Sequence, residues 1–216
     1  MCLEQNPLQP IPYIPEADQP NTRLIPQFYE QWKCSGLRLM ENSFDNAHFS
    51  FVHAASFGDQ QQPIPASLEI IPLEYGLQFK AQVPVVNPPL QQKNLQIEEA
   101  VTVRNVESTW FMPFSRALKI TYPNGLMHLI YTNAVPINDQ LSSVVQFCVR
   151  NDTEADAKAE DIVAFDRQVV LEDRVILEST DFDVPLHLSA EQHMISDRPG
   201  IIMRQKFAAL FRQHLV

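Results

Sequence analysis

The spacing of apolar residues divides the chain into a strand-rich middle and helical flanks. From residue 68 to residue 150, apolar and polar residues alternate in short segments, as in β-strands that bury one face. These segments lie at 68–83 (two strands around Glu74-Tyr75-Gly76), 95–106, 115–122, 126–135 and 141–150. Asn124-Gly125, between two of them, is a strong signal for a tight hairpin. We therefore predict about six consecutive strands in an antiparallel meander.

Three segments outside this region carry apolar residues three and four apart, which is the spacing of one helix face. We predict helices over 37–53, over about 154–180 and over about 199–215. Their apolar stripes are Leu37, Met40, Phe44, Ala47 and Phe51; then Ile162, Phe165, Val169, Ile176 and Leu177; then Met203, Phe207, Leu210 and His214. Ser196 or Asp197 can cap the last helix. The fold class is therefore α+β, an antiparallel β-meander sheet with helices on one face.

The N-terminal segment is rich in proline, with six prolines among the first 26 residues. Because proline fixes φ and lacks a backbone donor, this segment is not helical. We predict an extended arm over residues 1–30, which lies along a surface or links to another unit. The folded domain is predicted over residues 31–216.

Composition excludes several classes of function. The formal net charge is −10 and no basic stripe is present, so nucleic acid is not an expected partner. No apolar run approaches the ~20 residues of a membrane span, and no signal sequence is seen, so a cytoplasmic protein is expected. The five glycines are too scattered for a phosphate-binding loop. The three cysteines, Cys2, Cys34 and Cys148, form no zinc knuckle or disulfide framework.

Asp173 lies on the apolar stripe of the helix predicted over 154–180, four residues after Val169 and three before Ile176. A carboxylate on that face points into the core, where an unpaired charge costs several kcal/mol. We therefore expect Asp173 to have a partner. An arginine or lysine is the ordinary partner, and a metal ion is the alternative.

Two histidines, His48 and His53, crowd an otherwise apolar helical segment. Five residues apart, they point about 140° away from each other in a regular helix, so one ion is reachable only if the helix has a π-type turn or frays. Together with Asp173 they compose a set of two histidines and one carboxylate, which suits non-haem Fe(II) and O₂. The remaining histidines, at 128, 187, 193 and 214, are interpreted as surface or satisfied core residues.

The pattern Asn42-x-x-Asp45-x-x-His48-x-x-x-x-His53 resembles the iron-binding signature of Rieske non-haem iron oxygenase α subunits. The resemblance implies that His48, His53 and Asp173 bind mononuclear Fe(II). It implies that Asp45 connects the iron site to a Rieske cluster and that Asn42 lies near the iron. The tail, at 183–186 and 193–200, resembles the vanillate demethylase-like branch. The catalytic domain of this family has a helix-grip, START-like fold.

The chain departs from the family at its N-terminus, because no cysteine is followed by the CxH pattern of a Rieske [2Fe–2S] domain. We therefore interpret it as the catalytic half, with the [2Fe–2S] cluster on a missing domain or a separate partner. The resemblance then implies O₂, a hydrophobic small-molecule substrate that is hydroxylated or demethylated, a Rieske domain or ferredoxin/reductase as electron donor, and a possible homotrimer. Without that donor the chain alone should be inactive.

Two other functions stay open. The first is a non-catalytic START-like ligand-binding module with a vestigial metal site. The second is a zinc hydrolase, which needs a general base such as Glu41 or Glu172. Candidate pocket residues are Phe49, Phe51, Phe111, Met112 and Phe147.

Overall fold

Seven strands form one antiparallel sheet in the computed structural model, which describes Pro7 and residues 9–214. The strands are β1 (Arg23–Trp32), β2 (Ser67–Leu73), β3 (Gly76–Val86), β4 (Val101–Phe111), β5 (Ser115–Thr121), β6 (Met127–Asn138) and β7 (Leu141–Arg150). Their order is β1-β7-β6-β5-β4-β3-β2, so β2 to β7 compose the predicted meander. The α+β class is confirmed. Cys2 and Leu215 lie outside the described residues.

The edge strand β1 was not among the predicted strands. It lies in the proline-rich N-terminal region, whose residues 23–30 belong to the sheet. It pairs antiparallel with β7, with Ile25 opposite Cys148, and its register shifts between Pro26 and Phe28. Proline lacks a backbone N–H. It is tolerated in an edge strand because an N–H that faces away from the sheet has no neighbouring strand to bind.

Five helices accompany the sheet among the residues that the structure describes. They are α1 (Gly36–Asn42), α2 (Phe49–Val52), α3 (Pro89–Leu95), α4 (Ala159–Leu177) and α5 (Arg198–His214), with 3₁₀ turns at Pro15–Asp18, Leu188–Ala190 and Ile195–Asp197. The strand predicted over 95–106 begins only at Val101, because Leu95 ends helix α3 and residues 96–100 form the connection between the two elements. Pro89 occupies the first turn, and Gln96 ends the helix in the left-handed conformation with φ 55°. Proline at that position is compatible with a helix start.

The single helix predicted over 37–53 is wrong, because the structure has two short helices joined by an irregular segment. Ser43 donates its hydroxyl to the carbonyl of Leu39 at 2.9 Å, and the Asp45 carboxylate accepts the N–H of Ala47 at 2.8 Å. Such side chains compete with the regular helical bonds. His48 and His53 therefore stand at the two ends of the one-turn helix α2.

The two long helices agree with prediction, apart from two details. On α4, Ile162, Phe165 and Leu177 are buried, but Ile176 is 45% exposed and lies on the outer side. At the start of α5, Asp197 accepts the N–H of Met194 at 2.7 Å, so its side chain caps the preceding 3₁₀ turn. The side chain of His214 lies outside the described part.

The main core lies between one face of the sheet and the helices. It joins residues from α1, α4, α5 and the inward positions of β3 and β4; among them are Met40, Leu77, Phe79, Trp110, Leu177 and Met203. On the opposite face a smaller cluster of Met127, Leu129 and Val149 packs against Ile14 from the N-terminal segment. No helix of the described residues has the length and apolar character of a membrane span.

Gly58 closes the turn that follows α2. A Cβ atom at this position would collide with the carbonyl oxygen of Phe49 and press on the backbone of His53. The amide N–H groups of Phe57 and Gly58 both donate to the carbonyl of His53, at 3.0 and 2.8 Å. Glycine is therefore needed for the backbone to fold back against the segment that carries His53.

We expect Gly58→Ala to lower the free energy of unfolding by about 1–3 kcal/mol, because the added methyl forces the backbone apart. Urea unfolding measures this. Gly200→Ala is the matched control: its Cβ would meet only ordinary contacts to Glu41 at 3.7–3.9 Å, and alanine favours a helix. Equal stability of Gly58→Ala and the unchanged protein would contradict the close-packing argument.

Candidate metal centre and its cavity

Helix α2 brings His48 and His53 together because its single turn lies between them and ends at His53. His53 has φ −96° and ψ 20°, so the chain leaves the regular helix there. The two Nε2 atoms consequently lie 3.3 Å apart, although five residues separate the histidines. This confirms that a helix ending at this point places both imidazoles on one side. His53 is 2% exposed and its ring stacks on Phe57 with centroids 4.8 Å apart.

Asp173 reaches the same point from the C-terminal part of α4, four residues before the helix ends at Leu177. Its Oδ1 atom lies 3.4 Å from Nε2 of His48 and 3.3 Å from Nε2 of His53. The partner expected for this carboxylate is therefore the histidine pair and not an arginine or lysine. The three atoms form a nearly equilateral triangle, and an ion with bonds of about 2.0–2.2 Å can touch all three. The donor set thus fits a metal ion.

The outer nitrogens of both imidazoles contact carboxylates. Nδ1 of His53 lies 2.8 Å from Oε2 of Glu172, which also accepts the Ser56 hydroxyl at 2.8 Å. Nδ1 of His48 lies 3.3 Å from Oδ2 of Asp45. With protons on the Nδ1 atoms, both Nε2 lone pairs are directed towards the centre of the triangle. Carboxylates that hold histidines in this way are typical of metal sites.

Asn42 completes the arrangement from the end of α1. Its side-chain amide donates to Oδ1 of Asp173 at 2.9 Å. The structure therefore brings together all five residues singled out in the sequence: Asn42, Asp45, His48, His53 and Asp173. They come from two short helices, the segment between them and α4.

A cavity of about 100 Å³ opens beside the triangle, between the sheet and α4. Its apolar lining includes Phe49, Phe57, Val106, Leu118, Ile120 and Val169. Of the predicted pocket residues, only Phe49 lines it. Phe51 is 64% exposed, Met112 lies in the main core, Phe147 packs on the opposite sheet face, and Phe111 is half-buried elsewhere.

Several polar residues of this cavity were missed by the sequence reasoning. They are Arg104, Arg116, His128, Gln146 and Asp166. His128, interpreted as surface or satisfied core, is 3% exposed and its Nε2 lies 3.0 Å from Oδ2 of Asp166. Arg104 occupies an inward position of β4, but the inward positions beside it alternate between polar and apolar residues (Thr102, Val106, Ser108 and Trp110), so no regular apolar pattern marked it in the sequence. A buried charge at such a position indicates a site.

A second group of metal-ligand types is formed by His128, Cys148 and Asp166, whose ligand atoms lie within 4.8 Å of one another. Burial raises the pKa of the Cys148 thiol far above its ordinary value. Asp166 accepts a hydrogen bond from Gln27. Nε2 of His128 lies 3.0 Å from Asp166 but makes no hydrogen bond to the described residues.

The family model of the vanillate O-demethylase oxygenase C-terminal domain matches residues 32–213. The chain belongs to this family. The match confirms the resemblance to catalytic domains of Rieske non-haem iron oxygenases that the Asn42 to His53 pattern indicated.

Relatives and solved structures agree with the family. Methylxanthine N1-demethylase NdmA of Pseudomonas putida is 24% identical over 207 residues, covering 94% of this chain and 55% of that protein. Methylxanthine N3-demethylase NdmB of the same organism is 26% identical over 198 residues, covering 90% and 52%. The chain thus spans about half the length of the curated relatives it matches.

Two solved structures show the same fold. NdmA of Pseudomonas putida with caffeine superposes with a TM-score of 0.76 at 22% identity, over 91% of this chain and 54% of that one. Dicamba monooxygenase bound to 3,6-dichlorosalicylic acid has a TM-score of 0.76 at 16% identity, over 95% and 64%.

In this vanillate O-demethylase-type domain, His48 and Asp173 shift each other's pKa values. Burial disfavours a charged His48, but hydrogen bonds to Asp173 and Asp45 outweigh burial and raise its pKa to about 9. Burial acts against the Asp173 carboxylate as well, yet the hydrogen bonds from His48 and His53 hold its pKa well below the usual range. Without a metal, a proton on His48 therefore takes the place of a cation.

We expect the metal-free domain to lose stability as the pH rises from about 6.5 to about 9. The pKa of His48 is about 9 in the folded chain against 6.5 for an unperturbed histidine, so the folded state holds this proton more tightly. That stabilisation is complete below pH 6.5 and lost above pH 9, and it is on the order of 3 kcal/mol. Urea unfolding of chelator-treated protein measures it. His48→Gln should lack the pH slope; an unchanged slope in that variant contradicts the assignment.

Proposed function

We propose that this chain is the catalytic half of a Rieske-type oxygenase, which hydroxylates or demethylates an aromatic or other hydrophobic small molecule. In this proposal His48, His53 and Asp173 hold one Fe(II) ion. The observation that supports it best is the triangle of two imidazole nitrogens and one carboxylate oxygen, 3.3–3.4 Å apart. Fe(II) held by such a set leaves open positions at which O₂ is activated beside a substrate.

Residues around the triangle orient the ligand side chains through hydrogen bonds. Glu172 holds the Nδ1 proton of His53 and Asp45 holds that of His48, so each Nε2 atom faces the centre of the triangle. His48 offers its Nε2 lone pair once it releases the second proton that it carries in the metal-free site. Asn42 orients the carboxylate of Asp173 through its amide. These contacts keep the ligands in place before the ion arrives, which strengthens binding.

Asp45 is the proposed entry point for electrons from a Rieske [2Fe–2S] centre on another domain or chain. Its side chain is 36% exposed, whereas the His48 side chain is 10% exposed. The pair therefore connects the surface with the metal site through one hydrogen bond of 3.3 Å. A ferredoxin/reductase system, or a Rieske domain of a neighbouring subunit in a homotrimer, could reach Asp45 from outside.

The cavity beside the triangle is the proposed substrate site. Apolar side chains form most of its wall, and Phe49 and Phe57 place aromatic surfaces close to the histidines. A hydrophobic substrate would displace water from these surfaces, and the apolar wall would keep the reacting group dry.

The zinc hydrolase lacks support, because both candidate bases are held by other groups. Glu41 makes ion pairs with Arg204 and Arg38, and Glu172 accepts hydrogen bonds from His53 and Ser56. The ligand-binding module with a vestigial metal site remains the second candidate, since the cavity alone would serve it. Metal content separates the two functions.

We expect anaerobically prepared chain with added Fe(II) to hold close to one iron per molecule. Asp173→Ala should remove it, because two imidazoles without the carboxylate leave the ion without its charged ligand. Asp173→Asn keeps the shape and should also fail to hold iron. The control is Glu160→Ala, an exposed acid on the same helix.

Iron determination by atomic emission, with circular dichroism to verify folding, is the measurement. Full iron occupancy in folded Asp173→Ala would remove Asp173 from the ligand set. Absence of iron in the unchanged chain would favour the ligand-binding module.

We expect Asp45→Asn to keep its iron and to slow electron entry at least tenfold. Stopped-flow reduction of the ferric site by a reduced Rieske ferredoxin gives the rate, and iron analysis gives the occupancy. Asp139→Asn, an exposed acid in the turn between β6 and β7, is the matched control. If Asp45→Asn is reduced at the rate of the control, the relay role is wrong.

A further inference from the structure

Three buried side chains that carry metal-ligand atoms meet between the sheet and α4, apart from the metal triangle. They are His128 of β6, Cys148 of β7 and Asp166 of α4, and their ligand atoms lie within 4.8 Å of one another. Their exposed fractions are 3%, 0% and 6%. The proposed iron site contains none of them.

Strand pairing and helix periodicity place the three side chains on a common side. The residue opposite Cys148 is Ile130, two positions after His128. His128 and Cys148 are therefore diagonal neighbours on one face of the sheet, within reach of each other. Asp166 precedes Asp173 by about two helical turns, so both carboxylates lie on the same side of α4.

His128 approaches Asp166 without bonding to it. Its Nε2 atom lies 3.0 Å from Oδ2 of Asp166, which is within hydrogen-bond distance, yet it makes no hydrogen bond to the described residues. The ring nitrogen therefore does not point at the carboxylate oxygen. A buried polar atom without a partner costs about 1–3 kcal/mol. A cation between the two groups would satisfy both, as in the metal triangle, where Nε2 of His53 lies 3.3 Å from Oδ1 of Asp173.

Cys148 adds a sulfur atom in apolar surroundings. The thiol is free, and its neighbours include Ile25, Ala157 and Ile162. Burial raises the pKa of this thiol, so an ion that binds the sulfur must displace its proton. Zn²⁺ does this, because a thiol that coordinates the ion is held as the thiolate.

The charges around the three ligands suit a divalent ion. A thiolate and a carboxylate together supply two negative charges, which balance those of the ion. Two arginines influence Cys148 from nearby, but both have acidic partners. Arg150 pairs with Asp152 at 2.5 Å. Arg23 pairs with Glu154 at 2.6 Å. Neither arginine therefore opposes the ion with an unpaired charge.

We propose that His128, Cys148 and Asp166 bind a second metal ion, a divalent cation of borderline softness such as Zn²⁺. This ion accepts nitrogen, sulfur and carboxylate oxygen together, with bonds of about 2.0–2.3 Å. Tetrahedral bonds of that length hold nitrogen and oxygen about 3.4 Å apart, so the 3.0 Å contact opens by a few tenths of an ångström. His128 and Asp166 line the cavity, from which a water molecule can supply the fourth ligand.

Cobalt(II), added to the full chain after chelator treatment, tests this site. A thiolate bound to Co²⁺ gives a charge-transfer absorption band in the near ultraviolet, whereas the metal triangle has no sulfur ligand. We expect a band whose full intensity corresponds to one thiolate-bound Co²⁺ per chain. Absence of the band in excess Co²⁺ overturns the proposal.

The three cysteines provide matched variants. Cys148→Ala and Cys148→Ser should lose the band, whereas Cys34→Ala and Cys2→Ala should keep it. Circular dichroism verifies that each variant folds. A band that survives in folded Cys148→Ala assigns the sulfur ligand to another cysteine, and the proposal is then wrong.

His128→Gln and Asp166→Asn test the other two ligands. Each should weaken Co²⁺ binding, measured from the thiolate band, at least tenfold. Unchanged affinity in either folded variant removes that residue from the site and overturns the set of three ligands.

Asp173→Ala separates this site from the metal triangle, because it breaks the triangle and should leave the thiolate band in place. Zn²⁺ should raise the urea midpoint of this variant, since the ion binds the folded state, and should leave Asp173→Ala/Cys148→Ser unchanged. Loss of the band in folded Asp173→Ala disproves a separate site. A chain that holds iron without the band disproves this inference alone, and one that shows the band without holding iron disproves only the oxygenase.

Discussion

The convergence of His48, His53 and Asp173 is the constraint on which the rest of the site depends. Three titratable groups are withdrawn from water, so each must be satisfied by the others or by an ion between them. That requirement accounts for the interrupted helix, which turns both imidazoles inward, and for Gly58, which lets the backbone close behind them. It also accounts for the docking of α4 across the sheet, because only there does Asp173 reach the pair.

The same requirement applies to the charged side chains of the cavity. Its acids are matched to histidines, while Arg104 and Arg116 keep their charges without acidic partners among the described residues. Buried ion pairs elsewhere in the chain, such as Arg204 with Glu41, show how this fold ordinarily neutralises an arginine. The cavity beside the metal triangle thus holds two cationic side chains next to apolar residues.

Much of the fold could be predicted because its signals are local. Alternating apolar residues predicted the meander, and Asn124-Gly125 predicted the turn between β5 and β6. Helical spacing likewise located α4 and α5 to within a few residues. The helix predicted over 37–53 was wrong for a physical reason. Its apolar spacing is regular, but three interactions favour a break there: the hydrogen bond that Ser43 donates to Leu39, the one that Asp45 accepts from Ala47, and the contacts of His48 and His53 with Asp173.

The residue types of the site follow from local patterns, since the Asn42 to His53 pattern and a carboxylate on an apolar helix stripe can be recognised without coordinates. The alternation of apolar and polar residues in the sheet is local in the same way. Which of these groups meet depends on how the folded elements pack. Glu172 holds His53 across 119 residues of chain, and Arg104 of β4 reaches Phe57 in the turn that follows α2. Such contacts arise from packing of distant segments, and no local spacing encodes them.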